Sequence, residues 1–433
     1  MVIAILVPSV GQSMSGIGPD SMGCSLVINA SLYPVYGLHQ VTLGASIVAF
    51  ASKGQVMSKG ALDGIKVVEI AGIGPGPCAG MMLADMGAEV AVIDRPVADP
   101  ETAAAFAKYA LFNRGKKSVA LNLKDPDAVD ALLKLIDNAD VLIEGFRPGV
   151  MERLGLGPEV CCERNPKLVY GRMTGWGQTG PLSHAAGHDP NYIALTGALW
   201  AGGSHEHRPT APLTLIGDLG GGTMMLVFGV LSAIIHAQKT GEGQVVDAAI
   251  TDGAAYISTL LWGMHNSGQM TDVPGSGWAD FGSPWHDTYR CSDGEYITVC
   301  ALEPQFYALL IDGLNLNDDP MFTNQWDKEQ WQAGKETFRS IFAAKTRQEW
   351  CDQFEGTDVC FAPVLNFSEA LEHPHNVARE TFFTRDGIAQ PSPAPKLSAT
   401  PGAAGTVPTP GTHTAEVLEA LDLDSETLKR LVG

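Results

Sequence analysis

The sequence predicts an α/β fold: a doubly wound, mostly parallel sheet with helices on both faces, followed by a smaller α+β region. Three observations carry this. Short β-branched runs alternate with helical stretches from Leu62 onward, a glycine- and proline-rich turn follows the first run, and the pattern changes beyond a Gly/Pro/Trp-rich stretch at 274–285.

The first run, IKVVEI at 65–70, is short and bounded by glycine, so it reads as a strand. Gly72, Gly74 and Gly76 follow with Pro75 and Pro77, and an apolar helix over 79–86 stops at Gly87. A second strand at 89–93 ends in Asp94-Arg95. A strand at 119–123, a helix over 128–136 and strands at 140–144 and 168–172 continue the alternation. The apolar stretch 223–238, stopped by Gly241, reads as a buried core helix too short to cross a bilayer. A strand at 245–249 and a helix over 252–262 complete a large domain at 61–270. Strands at 289–290 and 296–301, with helices near 305–315, 329–343 and 347–355, form a small α+β domain at 282–380. The Pro-rich segment 388–411 is a linker or return strand. A last helix over 414–431 packs back on the large domain, which 385–433 completes. There is no internal repeat.

Composition bounds the function. At 433 residues the chain holds two or three domains and can bury a core without disulfide or metal staples. With 28 basic and 48 acidic residues its formal charge is −20, a mean field that repels nucleic acid and anionic membranes. The 45% hydrophobic and 18% charged content belongs to a globular protein and not to a disordered one. The eight cysteines show neither C-x-x-C nor metal-ligand spacing and read as buried reduced thiols. His205-Glu206-His207 lies among Gly, Ser and Pro and reads as a solvated loop, so no metal site is expected. Residues 1–60 form an extension without chemistry. Asp20 is the only charged residue before Lys53, so neither a secretory signal nor a mitochondrial presequence fits, and polar residues interrupt any membrane span.

The glycine turn invites a dinucleotide reading, with Asp94 about twenty residues on. Its spacing is G-x-G-x-G, however, and two prolines remove N–H donors a pyrophosphate would use. A tight strand-to-helix turn fits better. Lys108, Arg114, Lys116, Lys117 and Lys124 form a basic island free of acids. It is either a solvated face or a polyphosphate-binding surface to which Arg95, Arg147 and Arg153 could add. Three titratable residues stand at predicted helix starts: His188 before Asp189 (N-cap) and Pro190, Asp218 before the apolar helix, and Glu303 before Pro304. There backbone N–H groups can stabilise an oxyanion. Taken singly, each reads equally as a cap or turn residue.

Long blocks carry a resemblance: LDGIKVVEIAGIGPGPCAGMMLADMGAEV with IDRP, ADVLIEGFRPGVMERLGLGPE, GRMTGWGQTGP, AGHDPNYIALTGAL, GDLGGGTMMLVFGVL, GQVVDAAITDGAAY and LEPQFYALL. From about Leu62 to the C-terminus the chain resembles the α-methylacyl-CoA racemase family of the family III CoA-transferase superfamily. The resemblance implies a Rossmann-like large domain plus a small domain, with two chains interlocked as a homodimer. It implies that His188 and Asp218 are the two catalytic bases and that Glu303, from the small domain, orients the histidine. Arg95, Leu121, Asn122, Leu123, Lys124 and Arg153 match positions that hold CoA. Gly187, Asp189, Asn191 and Tyr192 match the segment around the thioester, the Asp189 N–H lying near the enolate oxygen. Pro190 departs from the isoleucine usual in these racemases; it removes one N–H but suits a helix's first turn.

The implied reaction inverts the α-carbon of a 2-methylacyl-CoA thioester. A weakly acidic α-hydrogen needs a base, the enolate oxygen needs stabilisation, and inversion needs a proton donor on the opposite face. No metal or redox cofactor is required, since CoA belongs to the substrate. The alternative is CoA transfer between carboxylic acids with Asp189 as nucleophile. A CoA-binding protein without catalysis is disfavoured because no site residue is missing. The C-terminus lacks S-K-L, so cytoplasm is the default expectation, with peroxisome and mitochondrion left open.

Overall fold

The computed structural model describes residues 60–204 and 208–432. The extension at 1–60, apart from Gly60, and the His205-Glu206-His207 loop lie outside the described residues. Six strands make the main sheet: β1 (Lys66–Ile70), β2 (Glu89–Asp94), β3 (Lys117–Ala120), β4 (Val141–Glu144), β5 (Val169–Thr174) and β6 (Val245–Ala249). All are parallel, in the order β3-β2-β1-β4-β5-β6. This is the Rossmann order, whose direction of winding reverses between β1 and β4.

The pleat sends alternate side chains to two cores, which is why the strands read as continuous apolar runs. Val68, Ile93, Leu142 and Tyr170 pack with Leu132 and Ile136 of the helix Pro126–Ile136 and with Val417 and Leu418 near the C-terminus. Val67, Val90, Ile143 and Val169 pack on the opposite face with Leu83, Leu226 and Val230.

Four expectations change. The first helix is Pro75–Asp85 and starts earlier than 79, because prolines in a first turn forfeit only N–H groups that have no intrahelical acceptor. The apolar helix is one 26-residue run, Leu215–Thr240, opening with a π-helical segment at Leu215–Thr223. By length and composition it could cross a membrane, contrary to the reading from 223–238 alone. It is also not wholly buried. Leu226, Val230 and Ala233 face the core, while Phe228 is 68% exposed. The helix expected over 252–262 is two, Ile250–Ile257 and Thr259–Asn266. The last helix is also two, Thr414–Glu419 and Ser425–Val432, the second started afresh by Asp424 accepting the Glu426 and Thr427 amides.

Beyond the sheet, β7 (His286–Arg290), β8 (Tyr296–Cys300) and β9 (Phe361–Val364) form an antiparallel sheet in that order. One face rests on Tyr289, Ile297 and Val299 packed against Phe338, Phe342 and Trp350, an aromatic core of its own. The Pro-rich return includes a hairpin, β10 (Phe382–Arg385) with β11 (Ile388–Pro391), and is more than a linker.

Candidate active site

In open parallel sheets, ligands bind outside the carboxyl ends of the strands, near the winding reversal. Most candidate residues converge on that edge. The Gly72–Gly76 turn follows β1, Arg95 follows β2, and Leu121 to Lys124 follow β3. Arg147 and Arg153 follow β4, and Trp176 follows β5.

The helix Asp189–Ala194 begins one residue earlier than expected, with His188 as N-cap in extended backbone. Asn191 closes the turn: its Oδ1 accepts the His188 amide at 3.0 Å and its amide reaches the His188 carbonyl at 2.8 Å. Asp189 is therefore released from capping its own helix. Its carboxylate is 1% exposed and its Oδ2 accepts the Asp218 amide at 2.7 Å. Glycine at 217 is required for this contact, since a Cβ there would lie 2.4 Å from Asp189 Oδ2. The other oxygen, Asp189 Oδ1, is buried without a hydrogen-bond partner. Asp218 thus sits in the first turn of the π-helical segment that opens this helix, its amide held by Asp189.

Tyr192 forms the wall beside this pair. Its hydroxyl donates to the Gly187 carbonyl, and Trp176 meets its ring edge-on at 4.8 Å. Glycines at 175 and 187 make room: a Cβ at either would fall 2.1 Å or 2.7 Å from the tyrosine ring. Trp176 was visible only as part of the GRMTGWGQTGP block, and nothing in its spacing marked it as a site residue.

Burial raises the Asp218 carboxyl, the adjacent Asp189 charge raises it further, and His188 pulls it down. The two expected bases are therefore electrostatic neighbours, although 30 residues separate them in sequence. Burial and then the Asp218 charge raise the Tyr192 hydroxyl, opposed by Arg147. Gly74, at φ 70°, approaches the same carboxyl: a Cβ on it would sit 3.4 Å from Asp218 Oδ2.

Other expected residues divide. Arg95, Lys124 and Arg153 are exposed at the sheet edge. Asn122 organises its turn by accepting the Lys124 amide at 3.2 Å. Leu121 is 2% exposed within the main core, so only its backbone can face a ligand, while Leu123 is half-buried against that core. Glu303 stands at the start of the helix Pro304–Gly313 as expected, its side chain making no capping hydrogen bond. Among the described residues, no hydrogen bond joins it to His188.

Three of the five residues of the basic island are taken up by internal acids. Arg114 is buried on Asp85 at 2.5 Å and also holds Gln390 and the Pro391 carbonyl. Lys116 is buried on Glu69 at 2.6 Å, and Lys117 pairs with Glu89 and Glu416. These three cations tie the fold together, while Lys108 and Lys124 stay exposed, Lys108 over the Tyr109 ring and Lys124 near the strand-end arginines. Asp94, the ribose ligand of the dinucleotide reading, turns inward to accept the Ser118 hydroxyl. The thiols divide too: Cys78, Cys161 and Cys291 are buried, but Cys300 is exposed.

Fold and site together define the class: a Rossmann-type α/β enzyme with a histidine at a helix start and a buried carboxyl of raised pKa, linked through Asp189, near the strand ends. The chain belongs to CoA-transferase family III, whose model matches residues 62–414. It is 44% identical over 374 residues to α-methylacyl-CoA racemase of Mus musculus, covering 86% of this chain and 96% of that protein. The Homo sapiens racemase is 42% identical with the same coverage. Acetyl-CoA:oxalate CoA-transferase of Acetobacter aceti is 30% identical, covering 78% of this chain and 90% of that one. Among solved structures, Rv3272 from M. tuberculosis aligns with a TM-score of 0.68 at 27% identity, covering 83% of this chain and 99% of that one. A CaiB/BaiF family protein from Brucella suis aligns at 0.72 with 23% identity, covering 84% and 100%, which speaks for the fold.

Proposed function

We propose that the protein inverts the α-carbon of 2-methylacyl-CoA thioesters by two-base proton transfer through an enolate. The observation that carries this is the 2.7 Å hydrogen bond from the Asp218 amide to Asp189, the residue after His188, which brings both candidate bases to one site where burial raises the Asp218 carboxyl. One base removes the α-proton, the thioester oxygen takes up the charge, and the conjugate acid of the other base returns a proton from the opposite face. Between them the pair must hold one transferable proton. Burial and the Asp189 charge favour the neutral carboxyl, so Asp218 can serve as donor opposite His188 as base. The Asp189 amide, at the helix's first residue, is read as the donor to the enolate oxygen. These steps change no oxidation state and call for no cofactor.

CoA transfer would need the Asp189 carboxylate as an accessible nucleophile. It is 1% exposed and already accepts the Asp218 amide, which disfavours that alternative. Arg95, Lys124 and Arg153 are read as meeting CoA phosphates, with the Leu121 backbone, Asn122 and Leu123 along the same edge. Gly187, Asn191 and Tyr192 are read as surrounding the thioester end. The working unit is proposed to be an interlocked homodimer in which each chain's 282–380 domain supplies Glu303 to the other's His188. Exposed apolar side chains support this, with Phe228 at 68%, Tyr256 at 70% and Leu260 at 64%.

The test is one enantiomer of a 2-methylacyl-CoA in deuterated water without an acceptor acid. Deuterium uptake at the α-carbon with loss of optical activity is expected. Turnover appearing only when a second carboxylic acid is added would establish transfer instead.

A further inference from the structure

The outer face of the antiparallel sheet carries two cysteines that proton transfer does not use. In β8, Ile297 and Val299 are buried, while Tyr296, Thr298 and Cys300 alternate on the other side. The register sets Tyr296 opposite Val364 and Thr298 opposite Ala362. Carried one step further along the same face, it sets Cys300 opposite Cys360. The backbone agrees, since the Cys300 amide donates to the Cys360 carbonyl at 2.9 Å. The paired ladder itself ends at Val299 and Phe361, and this bond is one of the two that a hydrogen-bonded antiparallel pair exchanges; such pairs have Cα atoms about 5.5 Å apart, inside the disulfide range of about 4.4–6.8 Å.

Both thiols are free, Cys300 exposed and Cys360 half-buried. Cys360 has φ 58°, so the pair lies where β9 begins and the strand geometry ends. The Cys300 charge acts on Cys360, and the Glu303 charge acts on both.

We propose that Cys300 and Cys360 are a disulfide-forming thiol pair beside Glu303, a modification site for a small disulfide of the glutathione type. The exposed Cys300 thiolate attacks one sulfur of the oxidant, forming a mixed disulfide and releasing one glutathione thiolate, which takes up the proton. Cys360 then displaces the second glutathione, which leaves as its thiol. Two protein thiols are oxidised to one disulfide and one glutathione disulfide is reduced to two thiols, so atoms and electrons balance. Burial, and secondarily the Glu303 charge, raise the Cys300 thiol, so exchange speeds up at alkaline pH. The bond would tie the last residue of β8, three positions before Glu303, to the residue preceding β9.

The inference does not depend on the acyl-CoA reading. Folded protein is incubated with oxidised glutathione at about pH 8.5, where an ordinary thiol is half ionised, and quenched with N-ethylmaleimide. It is then digested without reduction for mass spectrometry. The expected result is peptides joined through Cys300 and Cys360, and a lasting Cys300–glutathione adduct in Cys360→Ser. Recovery of both wild-type cysteines as maleimide adducts, or Cys300 joined to a different cysteine, would overturn the proposal.

Discussion

The carboxylate of Asp189 lies 2.7 Å from the Asp218 amide, in space that only glycine at 217 leaves open. Its charge opposes ionisation of Asp218, in the same direction as burial, while His188 acts the other way. Removing that charge with Asp189→Asn keeps an acceptor for the amide but lowers the Asp218 pKa. Since less proton is then held by the pair at a given pH, the acid limb of kcat/KM should move to lower pH. A limb that stays in place, or moves up, would show that Asp189 has no electrostatic hold on Asp218. The types of these residues were legible in sequence: His188, Asp218 and Glu303 each stand by a helix start or a glycine run. What was not legible was which backbone amide each carboxylate takes. Asp189 reads as its own helix's cap until Asn191 is seen to close that turn. The partner it gains is 29 residues away and unmarked by spacing.

The turn between β1 and the helix Pro75–Asp85 places Gly74 against Asp218, and it is held from two sides. Lys116 Nζ donates to the Pro77 carbonyl at 2.9 Å, and the Thr223 hydroxyl donates to the Pro75 carbonyl at 3.0 Å. Lys116 is itself paired with Glu69, in a core so tight that a Cβ at Gly80 would lie 1.8 Å from Glu69 Oε2. Lys116→Met should cost about 3–5 kcal/mol in urea unfolding, because it strands a buried carboxyl. The double replacement Glu69→Leu with Lys116→Met should cost less than the single one, and equal costs would refute the pairing argument. Burial, outweighing the Lys116 charge, pushes Glu69 up to about 7 from 4.5. A raised folded pKa means that the contribution to stability is full below 4.5 and is lost as pH rises through about 7. Wild type should therefore lose stability relative to Glu69→Gln across that window. The strand order was readable from alternation and β-branched runs, because both physical causes are local. The basic island was misread because the acids that neutralise it, Asp85, Glu69, Glu89 and Glu416, lie 25 or more residues away along the chain.

In a chain of charge −20, Arg114 and Lys116 are committed to buried pairs, while Arg95, Lys124 and Arg153 stay exposed at one sheet edge. Among the described residues, no hydrogen bond joins His188 to the acid expected to orient it. Glu303 stands at a helix start in the antiparallel region, and the charges that act on Asp218 come from Asp189 and His188. The proposed two-fold dimer would answer both this gap and the exposed apolar side chains, with each chain lending Glu303 across an isologous interface. The arrangement makes a test that geometry within one chain could not pass. His188→Ala and Glu303→Ala chains are co-expressed with different affinity tags, and the doubly tagged dimer is purified. If Glu303 acts on the partner's His188, that mixed dimer has one site with both residues altered and one with both intact. It should then show about half the wild-type racemisation rate, although each parent alone is nearly inactive. If Glu303 acts on its own chain's His188, both sites of the mixed dimer carry one alteration and no activity returns. A mixed dimer as inactive as its parents would therefore remove the interlocked arrangement, while leaving the His188–Asp218 pair to be judged by isotope exchange.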